Sequence, residues 1–273
     1  MIAQIHQFAY IYKRIKMKKN MRFKNNILPL LIGLCALSLF TACSQENSKE
    51  DEIIEPKKEE KEDTIDFDIR KVLVQLELVK LADGKTFKDN PTRYDIVESI
   101  RGTGLVFHID KDGNTNPDKY NPLDKFKVTT LKPESNYVYW LQVSYIDNKL
   151  GNLDPYYDNK LNYKSQSFFM NYINEGNKEV WVNDPSKLPY TYIYSDNISN
   201  IEIINPSPVG AKGFINFLKP HTNFDLTIGL FYTGNKTKFN SNGTISPFWG
   251  PSPELIKKGK WVVKVKIPIE IED

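Results

Sequence analysis

Oxygen-bearing side chains recur at every second position in the stretch Asp110-Lys-Asp-Gly-Asn-Thr-Asn-Pro-Asp118. Calcium takes six to eight oxygen ligands, and a loop of this kind can wrap Asp110, Asp112, Asn114, Asn116 and Asp118 around one ion. The EF-hand pattern breaks at Thr115, where the turn glycine belongs, and at Asn121, where the bidentate glutamate belongs. The alternative is a polar hairpin turn held by Asx hydrogen bonds. A second chemistry needs two imidazoles: His108 and His221 are the histidines beyond the first 42 residues, and such a pair can hold a haem iron axially. A third uses flat aromatic faces. Phe248 and Trp249, in the proline-stiffened stretch Ser246-Pro-Phe-Trp-Gly-Pro-Ser-Pro253, and the pair Tyr156 and Tyr157 are candidate contacts for a sugar or a protein, unless they pack in a core. Motifs of catalysis are missing: there is no Gly-x-Ser-x-Gly elbow, no His-Glu-x-x-His and no phosphate-cradling glycine loop. The expectation is a protein that is not an enzyme.

A fourth reactive group stands at the end of a leader. The basic stretch Lys18-Lys-Asn-Met-Arg-Phe-Lys24 runs into an apolar segment, Ile27 to Phe40, followed by Thr41, Ala42 and Cys43. About 14 apolar residues fall short of the ~20 that a helix needs to cross a bilayer, so the segment reads as a cleaved export signal. The ending Leu37-Ser-Leu-Phe-Thr-Ala-Cys43 resembles a bacterial lipoprotein signal, with Phe40 in place of the usual Leu. That resemblance implies that Cys43 becomes the acylated first residue of a membrane-anchored protein. Met17 or Met21 then serves as the start. Cys35 leaves with the leader, so no disulfide or cysteine metal site is expected.

Residues 1–42 hold seven of the 37 Lys and Arg and none of the 34 Asp and Glu, so the remainder carries a net charge near −4. A mildly acidic body argues against nucleic-acid binding, which relies on cations neutralising phosphates. Residues 43–64 are almost free of apolar side chains and read as a flexible charged tether. Within it, Ser48-Lys-Glu-Asp-Glu52 is similar to the acidic signal that sends lipoproteins of Bacteroidota to the outer face of the outer membrane.

From residue 65 onward the patterning is that of strands. Val72, Val74, Leu76 and Leu78 alternate with Lys71, Leu73, Gln75 and Glu77, and the same period recurs over Tyr137 to Tyr145 and Trp261 to Ile269. Asp-Gly, Asn-Gly and many prolines supply the breaks. The expected class is all-β. Leu131-Lys-Pro-Glu-Ser-Asn-Tyr137 through Tyr145 aligns without gaps on Leu218-Lys-Pro-His-Thr-Asn-Phe224 through Tyr232. This spacing suits two tandem sandwich units of the immunoglobulin or fibronectin kind, over 65–172 and 173–273.

The body also resembles a group of flavobacterial lipoproteins in its Asp110-Lys-Asp-Gly113 turn, its Leu131 to Tyr137 strand, its Phe168-Phe169 pair and its Trp261 to Ile271 strand. The resemblance implies a lipid anchor in the outer membrane, a body facing the cell exterior, and a TonB-dependent receptor or another outer-membrane protein as partner. It further implies binding in the service of iron, haem or other nutrient capture; calcium at the Asp110 loop and haem on the histidines are the cofactors to test. Adhesion to host glycans or proteins is the alternative.

Overall fold

The computed structural model describes residues 65–154, 161–196 and 208–273. Cys43, the tether, Tyr156 and Tyr157 lie outside the described residues. The alternating stretches form long strands. β1 (Ile69–Leu81), β2 (Ile96–Ile109), β3 (Thr115–Pro117), β5 (Tyr137–Asp147), β6 (Gly151–Asn152), β9 (Tyr190–Tyr194) and β10 (Lys212–Phe217) make a seven-stranded sheet, ordered β3-β2-β1-β5-β10-β9 with β6 beside β5. β4 (Phe126–Val128), β7 (Ser165–Glu175), β8 (Lys178–Trp181), β11 (Thr222–Tyr232) and β12 (Lys260–Ile271) make a five-stranded sheet, ordered β4-β12-β11-β7-β8. All pairings are antiparallel except that of β4 with β12. The all-β class is thus as expected.

Period two sends one set of side chains from each sheet into a shared core. Val72, Val74 and Leu76 of β1, Leu141, Val143 and Tyr145 of β5, and Val265, Ile267 and Ile269 of β12 belong to a single buried cluster. Polar groups also join the two sheets across it. The Tyr145 hydroxyl donates to Ser167 Oγ at 3.1 Å, and the Tyr190 hydroxyl donates to the Phe169 carbonyl at 2.8 Å. Each sheet carries a smaller apolar patch on its outer face as well. Val79, Leu81, Val138, Trp140 and Phe214 lie under the turn holding Phe87. Phe168, Met170 and Phe231 lie under Leu255 of the short helix α1 (Pro253–Ile256). Covering both faces explains why the first seven residues of β7 are buried without alternation.

The expected division into units 65–172 and 173–273 is corrected by the strand pairing. β5 pairs with β10 and β7 pairs with β11, so both sheets draw strands from either side of residue 172. The described residues fall in one compact unit. The aligned sequences that suggested a repeated domain are instead the interior strands β5 and β11, one in each sheet. Two strands with similar surroundings, each flanked on both sides and buried on its inner face, call for similar patterns. That produces the likeness without a second domain.

Candidate functional site

The polar cluster expected to hold calcium is a hairpin between β2 and β3. Asp110 Oδ1 accepts the backbone N–H groups of Asp112 and Asn114, both at 2.9 Å, and Oδ2 accepts from the Asn114 side chain at 2.9 Å. These bonds hold the Asp110 carboxyl below its ordinary range, the Asn114 side chain contributing most. Gly113 supplies the left-handed turn residue, with φ 81°. Asn116 faces His108 across the hairpin, and Asp118 Oδ2 lies 2.7 Å from His108 Nε2. No cluster of three or more His, Cys, Asp or Glu residues with the spacing of a metal site occurs among the described residues. The Asx-turn alternative is the arrangement observed.

The two histidines lie at opposite ends of the sandwich. His108 pairs with Lys71 near the start of β1. Just ahead of β1, Ile65 and Phe67 meet Tyr232, the last residue of β11. His221 immediately precedes the other end of β11, roughly 33 Å away along an extended strand. One haem cannot span that separation, so the expected pairing of His108 with His221 on one iron is corrected.

Phe248 and Trp249 are half-buried parts of an aromatic wall. The Phe248 ring packs beside Tyr190, Tyr192 and Trp249, and its carbonyl accepts from the Phe169 N–H at 2.8 Å. The Trp249 carbonyl accepts from Trp181 Nε1 at 2.7 Å. A Cβ on Gly250 would sit 1.8 Å from the Trp181 ring, so only glycine lets the loop come this close. The proline-stiffened stretch thus acts as a strap against β7.

A different place is open. Beyond β3, which covers only Phe107 to Ile109, the edge of β2 has no neighbouring strand among the described residues, and β4 is the edge strand of the other sheet. Between these edges is a slot of about 250 Å³. Leu76, Leu78 and Tyr139 form its floor, and Leu123 and Phe126 form one wall. Arg101 and Thr103 stand directly opposite Leu78 and Leu76 in the β1–β2 register, so both point to the same inner face. The Tyr139 ring is fixed twice: its hydroxyl accepts the Thr129 N–H at 3.0 Å, and its edge meets Phe217 with centroids 5.3 Å apart.

The slot is cationic. Arg101 and Lys127 line it, and no carboxylate does. Lys127 is balanced by Glu272, 3.3 Å away, and Glu270, 3.7 Å away. Arg101 is exposed and has no carboxylate within ion-pair distance among the described residues. Sequence reasoning passed over this site, although a signal was present. In Arg101-Gly-Thr-Gly-Leu-Val-Phe-His-Ile109 the inward period set by Leu105, Phe107 and Ile109 lands, two and four residues earlier, on Thr103 and Arg101. Polar residues on a core-facing period mark an opening.

Comparison with known protein families, with curated proteins and with solved structures gave no match for this chain.

Proposed function

We propose that this chain is a binding module of the bacterial outer membrane, anchored through lipid on Cys43, and that the slot between the open sheet edges takes its ligand. The anchor rests on the leader, the Thr41-Ala42-Cys43 ending and the acidic tether that follows. The ligand site rests on one observation above the others: an exposed guanidinium with no carboxylate partner among the described residues lines a slot whose remaining walls are mostly apolar. Ligand sites combine a mostly apolar lining with a few placed polar groups, which is the composition here. Within the wider reading of nutrient capture, the geometry favours a small organic ligand over haem, because His108 and His221 are far apart. Adhesion to a protein surface has a separate support in exposed Tyr94, Val97 and Ile100 on and beside the same β2 edge.

A small-molecule screen by thermal shift, run on the full chain and on Thr103→Trp, tests the site. Binding to the native fold raises its melting temperature. Ligands that stabilise the parent chain are expected to leave Thr103→Trp unmoved, because the indole fills the slot from its rim. Hits that stabilise both equally would move the site elsewhere.

A further inference from the structure

We propose that the slot selects a small carboxylate on an apolar stem, of the size of a medium-chain fatty acid. This rests on the reading of the slot as the ligand site and adds the class of ligand.

Charge is the first argument. The two ionic side chains at the slot are both cations, and among the described residues only one of them, Lys127, is matched by acids. An anion entering the slot therefore finds Arg101 without having to displace a carboxylate of the described residues. The planar fork of a guanidinium matches the two oxygens of a carboxylate. Gly102, which also lines the slot, adds a backbone donor. Val106 sends its N–H to Asn121 and receives the Asp118 N–H on its carbonyl, so it bonds outward from the sheet edge. The register between Arg101 and His108 is unbroken, and backbone direction alternates along a strand. Gly102 and Gly104 therefore turn their N–H and C=O groups outward too. A single arginine, one hydroxyl at Thr103 and one such N–H suit a monoanion; a phosphate dianion calls for more donors.

Shape is the second argument. The floor and wall beneath Arg101 are Leu76, Leu78, Leu123, Phe126 and the Tyr139 ring, which reward burial of hydrocarbon. At about 250 Å³ the slot is smaller than the ~300–1,000 Å³ of pockets for drug-sized ligands. An acid of about ten non-hydrogen atoms fills it. A long or branched lipid does not.

Calorimetric titration of the full chain with octanoate, octan-1-ol and octylammonium tests the class. Octanoate is expected to bind at least about tenfold more tightly than the other two, in keeping with the worth of a charge-assisted hydrogen bond. Arg101→Gln should remove that preference, and Arg101→Glu should transfer it to octylammonium. Arg101 is exposed on an edge strand, so an unchanged melting temperature without ligand verifies that both variants fold. Equal binding of octanoate and octan-1-ol to the parent chain, both abolished by Thr103→Trp, would overturn the carboxylate while leaving the slot as the ligand site. Octanoate binding that survives Thr103→Trp and Arg101→Gln alike would overturn both.

Discussion

At the residue scale, Lys238 carries the clearest expectation. It is fully buried, and its Nζ donates to the Ser165 carbonyl at 2.9 Å and the Pro208 carbonyl at 2.6 Å. Burial pushes its pKa down to about 7, against a partial compensation from Asp196. The carboxyl of Asp196 is pushed up by the same burial, despite accepting the N–H groups of Gly210 and Lys212. An unfolded lysine keeps its proton to about pH 10.4. Between about pH 7 and that value the unfolded chain holds more protons, so this group makes stability rise with pH; below about pH 7 its contribution is flat. Urea unfolding of the parent chain and of Lys238→Met at pH 7, 8 and 9 isolates it. The parent is expected to gain on the variant by about 1 kcal/mol per pH unit. A difference that stays constant, or shrinks as pH rises, would contradict the buried neutral lysine. Nothing in Gly234-Asn-Lys-Thr-Lys-Phe239 marks Lys238 for burial, because the sequence around it is that of a polar loop. Its place is set by distant contacts, such as the Lys238 N–H to the Tyr163 carbonyl at 2.8 Å.

At the element scale, the β2–β3 hairpin shows how one carboxylate organises a turn. Asp110 answers three donors within four residues and so fixes the reversal that brings Thr115 to Pro117 beside β2. Replacing it with alanine is expected to lower the melting temperature slightly, and equally with calcium or with chelator present. A calcium-dependent rise in the melting temperature of the parent chain, lost in Asp110→Ala, would restore the ion-binding loop. The elements themselves were largely legible. Inward alternation in β1, β5 and β12 follows most of the residues that the period picked out, while Val79, Leu81, Val138 and Trp140 are buried on the outer face as well and Tyr137 is exposed. The exceptions have local causes. A register shift between Leu230 and Phe231 turns Trp261 to the outer face, against Phe168 and Phe231. Parallel pairing of the three-residue β4 with the end of β12 depends on a partner more than 140 residues away, which no local pattern encodes. The slot was legible only as a polar interruption of an inward period, and its opening is a property of two edges meeting.

At the scale of the whole molecule, the crossing of strands between halves decides how the fold comes apart. β5 lies between β1 and β10, and β11 lies between β12 and β7, so neither sheet can be completed by residues 65–172 or by 173–273 alone. Release of the second half would expose the edge of β5 along Tyr139 to Gln142 and the edge of β7 along Ser165 to Asn171. It would also remove β11 and β12 from the core that Val74, Leu141 and Tyr145 share with Ile228 and Val265. Units joined through one core and continuous sheets unfold together, whereas tandem sandwiches with separate cores unfold in steps. Urea titrations followed by tryptophan fluorescence and by far-ultraviolet circular dichroism are therefore expected to give coincident single transitions. The tryptophans make the comparison discriminating, because Trp140 reports on the outer face of the larger sheet and Trp181, Trp249 and Trp261 report on the smaller one and its strap. Segments 65–172 and 173–273 produced separately are expected to lack a cooperative transition. Two resolved transitions in the intact chain, matched by an independently folded half, would mean that the shared core does not couple the sheets.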